Sequence, residues 1–150
     1  MSTRIGASRR HFSAGILACA LAPSGLAWAQ AAGAPGAFQV LPHRAGSGMA
    51  LLRRGSGERS AQRLVKDALQ ALAGQLDRVP RALGGMVSRE DNAAMLSFAG
   101  HRRGQLVQGY VVAQVAPAGY TLAVALDDPA RLAQTGPALL AAADAAAGGG

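Results

Sequence analysis

Few residues in this chain carry groups able to do chemistry, and their spacing narrows what they can do. His43 and His101 lie far apart, and neither has a second histidine or a carboxylate at a helical ligand spacing. A zinc site needs three or four ligands, so no metal is expected. Ser47 lies between Gly46 and Gly48 but lacks the Gly-x-Ser-x-Gly elbow that exposes a hydrolase nucleophile, and it reads as a turn residue. Gly55 and Gly57 have neither the third glycine of a dinucleotide loop nor the lysine of a phosphate loop. Asp127 and Asp128 fit helix capping, and Glu90 and Asp91 fit a turn. Electrostatic recognition is what remains. Arg53-Arg54-Gly55-Ser56-Gly57 precedes an expected helix, whose free N–H groups would attract a phosphate or carboxylate. His101-Arg102-Arg103, between Gly100 and Gly104, would make a second basic tip on an exposed turn. The anion- or ligand-binding candidates are therefore Arg53, Arg54, Ser56, Gly57, His101, Arg102 and Arg103. No catalytic residue and no cofactor is expected.

The elements that must position these groups follow from hydrophobic period. Over residues 58–77, Ala61, Leu64, Val65, Ala68, Leu69, Leu72, Ala73 and Leu76 recur at three- and four-residue steps. That predicts one long helix with a core-facing stripe. After Pro80 and Gly84-Gly85, which mark a loop, the period changes to two. Strands are expected over residues 86–90, 93–99, 105–115 and 120–126, with two earlier ones at 38–41 and 49–53. Short turns between the last four require an antiparallel meander. Asp128 and Pro129 should open a C-terminal helix, which Gly136-Pro137 should break or kink. The order ββαββββα predicts an α+β fold, in which the two helices cover one face of an antiparallel sheet of five to six strands. The single domain is expected over residues 38–142. A flexible lead-in at 30–37 precedes it, and a frayed Ala/Gly tail at 143–150 follows it.

Residues 1–29 read as an address. Arg4, Arg9 and Arg10 precede an apolar run broken by Pro23 and Gly25, and Ala27-Trp28-Ala29 places small residues where a signal peptidase cuts, before Gln30. The run is too short and too interrupted for a spanning helix, which takes about 20 residues. Ser8-Arg9-Arg10-His11-Phe12 resembles the twin-arginine signal, with Arg9, Arg10 and Phe12 on its pattern and Ser13 and Ala14 departing from it. The resemblance implies a bacterial protein carried folded by the twin-arginine translocase, then periplasmic or secreted. Ile16-Leu17-Ala18-Cys19 offers an alternative, a lipoprotein anchored at Cys19.

Export reshapes the composition. Three of the fifteen basic residues fall in residues 1–29, leaving twelve against eight acidic ones. Arginine bias beside abundant alanine and glycine reflects a GC-rich genome rather than a nucleic-acid partner, so none is expected. Cys19, the single cysteine, leaves with the signal, so disulfides, thiolate metal sites and a cysteine nucleophile are excluded together from the mature chain.

The element order, with Gly109-Tyr110 on one strand, Gly119-Tyr120 on the next and Asp127-Asp128-Pro129-Ala130-Arg131-Leu132 leading into a helix, resembles the PsbP-like family over residues 38–142. The Gly-Trp stretch of that family is missing near Phe38. The resemblance implies a non-catalytic binding or assembly factor and supplies no site residues. The expected partners are a periplasmic protein or, alternatively, an anionic lipid or polymer met by the arginines; an enzyme built on carboxylates and arginines is the third reading.

Overall fold

The computed structural model describes residues 37–57 and 60–149. The expected signal, with Arg9, Arg10, Phe12, Cys19, Ala27 and Ala29, lies outside them, as does most of the lead-in. In chain order the elements are β1 (Gln39–Leu41), β2 (Met49–Gly55), α1 (Ala61–Ala71) with a 3-10 turn (Leu72–Gly74), β3 (Arg81–Arg89), β4 (Ala93–Arg102), β5 (Gln105–Ala116), β6 (Gly119–Asp127) and α2 (Leu132–Gly148). The strands form one six-stranded sheet in the order β1-β2-β6-β5-β4-β3. Every neighbouring pair is antiparallel.

The helices do not share a face. β6 explains why: Leu122, Val124 and Leu126 alternate with Ala123 and Ala125, and both sets are buried. A strand apolar on both sides needs cover on both sides. The large residues meet Leu64, Val65, Ala68 and Leu72 of α1, together with Phe98 and Val111. The alanines meet Leu139 and Ala143 of α2, with Ala50 and Leu52 of β2. Small side chains on both partners let α2 lie close to the sheet.

α1 is shorter than the expected 58–77 helix. Ser60 caps it, its Oγ accepting the Arg63 N–H at 3.2 Å. It tightens into the 3-10 turn, which ends at Gly74, a poor helix former. Leu76 still reaches the core from beyond the helix. Each buried leucine of the stripe contributes about 1.5–3 kcal/mol, so packing holds this helix in place.

Three further expectations are corrected. β3 begins at Arg81 and runs through Gly84 and Gly85, where its register against β4 shifts between Leu83 and Val87. The glycines make a bulge rather than a loop. α2 continues through Gly136 and Pro137 to Gly148, and Ala143 in the supposed tail is fully buried. The alanine run is low in complexity but makes a continuous apolar surface against β2 and β6. Asp128 stands one turn before the helix: its Oδ1 accepts the Ala130 N–H at 2.8 Å, and its carbonyl accepts those of Arg131 and Leu132.

Candidate functional site

Asp127 ends β6 and is 5% exposed. Its Oδ2 accepts the Ser47 hydroxyl at 2.7 Å and the Thr135 hydroxyl at 2.6 Å, and its Oδ1 accepts the Asp128 N–H at 2.7 Å. Burial pushes this carboxyl up, but the Thr135, Ser47 and Asp128 hydrogen bonds and the Arg131 charge outweigh it and hold it below the ordinary 3.8. His43 is close in sequence but engaged elsewhere: Nδ1 accepts the Ala45 N–H and Nε2 faces the Gly48 carbonyl at 3.1 Å. Those partners place the ring proton on Nε2. Gly48, at φ +86°, runs so close to the sheet that a Cβ would sit 2.7 Å from the Leu126 carbonyl oxygen. Serine, histidine and aspartate thus lie near one another without forming a relay. The serine and the threonine give their protons to one carboxylate, and the histidine braces its own loop. This arrangement ties the β1–β2 loop to the start of α2.

The arginine candidates separate. Arg53 lies opposite Leu122 on the α1 face, and Arg54 lies opposite Thr121 on the other. Arg54 donates to the Ala146 carbonyl near the C-terminal end of α2, where carbonyls lack helical partners. The buried Arg53 Nε has no hydrogen-bond partner among the described residues. Ser56 and Gly57 lie in the loop before Ser60, and Gly57 and Ser60 line one shallow pocket that neither Arg53 nor Arg54 joins.

His101 is not in a turn. It lies on β4 opposite Leu106, and Arg102 pairs with Gln105. The turn is Arg103-Gly104, both at positive φ (54° and 79°), the signature of a type I′ hairpin. Asp77 pins it: Oδ1 accepts the Arg103 N–H at 2.7 Å and Oδ2 the Gly104 N–H at 2.8 Å. A cleft of about 510 Å³ opens beside it, lined by Arg78, Arg81, His101 and Leu106 among others. The sequence did not single out Arg78 or Arg81; only the crossing of residues 77–80 past the hairpin brings them to His101.

The second feature missed from sequence is an uncovered half-sheet. Among the described residues, α2 covers β2 and β6 and leaves the same face of β3, β4 and part of β5 open. Register places Val87, Met95 and Val112 in one cross-strand row, and Leu83, Ser97 and Tyr110 in the next. Val87 is 63% exposed and Met95 38%. Rows containing Arg81 and Gln108, and Arg89 and Gln114, frame this apolar centre. Beyond Gln114 the floor continues to Thr121 and Arg54 in a groove of about 1090 Å³ beside Asp144 of α2. Among the described residues no group of three or more His, Cys, Asp or Glu could hold a metal ion, and no helix is long and apolar enough to cross a membrane. No protein-family model, no curated protein and no solved structure matches the chain.

Proposed function

We propose that the mature chain is a non-catalytic binding or assembly protein of the bacterial cell envelope, reached through the twin-arginine signal, and that it docks a protein partner on the open half-sheet. The observation that carries this reading is the apolar row Val87–Met95–Val112, exposed at Val87 and Met95, with its basic, polar frame. An apolar centre inside a polar rim is the usual build of a protein–protein contact. The frame also describes the occupant. Arg81 and Arg89 stand at either end of β3, so the partner presents an apolar patch with acidic groups around it. A second copy fits poorly. Antiparallel pairing of two β3 edges sets arginine near arginine, and the bulge at Gly84-Gly85 breaks the ladder.

Photo-cross-linking from position 87 or 95 in the periplasm tests this. One and the same adduct from both positions, absent from position 44, identified by mass spectrometry and rebound in purified form, is the expected result. Adducts equally frequent at position 44, or none at 87 and 95, reject the docking face.

A further inference from the structure

The cleft beneath the β4–β5 hairpin is built differently from the open half-sheet. Residues 77–80 cross the end of β4, fastened by the Asp77 N–H to the His101 carbonyl at 2.8 Å. That crossing sets Arg78 and Arg81 around His101 in a concavity of about 510 Å³. The one carboxylate in the lining, Asp77, has both oxygens committed to the backbone N–H groups of Arg103 and Gly104. The His101 and Arg78 charges also act on Asp77, and among the described residues no other carboxylate lines the cleft beside Arg81. Three basic side chains therefore converge on a space containing a single, already engaged, negative charge. Two apolar side chains flank it, Val79 at 42% and Leu106 at 47% exposure. Guanidinium groups present paired donors that match phosphate oxygens. Exposed aliphatic groups beside them suit a ligand whose charged end continues into a hydrocarbon chain.

We propose that this cleft seats the phosphate headgroup of an amphiphile, with Arg78, Arg81 and His101 donating to its oxygens and Val79 and Leu106 against its chain. The site shares Arg81 with the frame of the docking face but uses neither Val87 nor Met95, so the two readings are tested at different residues. It would hold the protein against an anionic membrane surface at the hairpin end of β4 and β5.

Co-flotation of the mature protein with phosphatidylcholine vesicles, with and without phosphatidic acid, tests it. Binding should require phosphatidic acid and should weaken with inorganic phosphate. Replacing both cleft arginines (R78A with R81A) should lower vesicle affinity by about 30-fold. The charge-matched pair R44A with R63A, on a loop and on α1, should leave it within about twofold. L106S should weaken vesicle binding but leave the inorganic phosphate effect on the His101 amide resonance intact. Equal losses from the two arginine pairs would mean bulk charge and overturn the site. So would phosphate binding at His101 without any vesicle binding, or no binding of either probe. V87D should float like the wild type, so failure here and failure of the docking face are told apart.

Discussion

Asp127 shows what one buried carboxylate does when every oxygen contact is a donor. It costs desolvation and recovers it through two hydroxyls and one backbone N–H. Asp127→Ala would leave those three donors without an acceptor and should lower stability by about 3 kcal/mol, read by urea denaturation. Its native carboxyl is held below the ordinary 3.8, so its contribution is fully present above that value and is lost as pH falls through the lower native one. Thr135→Val should shift the acid-unfolding midpoint of the wild type upward, because the hydroxyl that depresses the native value most is gone. Asp77 is also held low, first by the Gly104 and Arg103 N–H groups and then by His101 and Arg78, against a smaller push from burial. Asp77→Ala should speed amide exchange at Arg103 and Gly104 specifically, measured by NMR, while core amides stay protected.

Strands were the most legible elements, because Gln105–Ala116 and Gly119–Asp127 alternate cleanly and short turns leave only an antiparallel route. The helices were harder. Periodicity showed α1 its buried stripe but could not set its end, which depends on Gly74 and the 3-10 turn. α2 was legible only in part: Leu132, Leu139 and Leu140 mark an apolar side, but the alanines around them blur its orientation, and Gly136-Pro137 argued for a break. Packing against Ala123 and Ala125 overrides both signals. Its side of the sheet was legible only in hindsight, from the small residues alternating with leucine and valine on β6. Leu139→Ala should therefore cost about 2–5 kcal/mol, the penalty of a cavity between helix and sheet, measured by thermal or denaturant unfolding. Charge marked His101, Arg102 and Arg103 in the sequence, but of these only His101 lines the cleft, and Arg78 and Arg81 lie on another segment and meet it only through the fold. The open half-sheet is a consequence of α2 lying over β2 and β6, and no local pattern encodes that placement.

At the scale of the whole molecule, the proposed export of a folded chain is set beside a domain whose apolar row, exposed at Val87 and Met95, has a basic frame. Lysine in place of both Arg9 and Arg10 should leave the precursor in the cytosol, seen by fractionation, if the twin-arginine route is used; export continuing unchanged would assign the other route. Val87 is exposed enough for an aspartate to change binding with a stability cost within about 0.5 kcal/mol. The most direct measurement is the affinity of the partner cross-linked from position 87, purified, for the wild type and for V87D. A loss of at least about 30-fold with an unchanged melting temperature is the predicted result. Equal affinity for the two proteins would contradict the docking face.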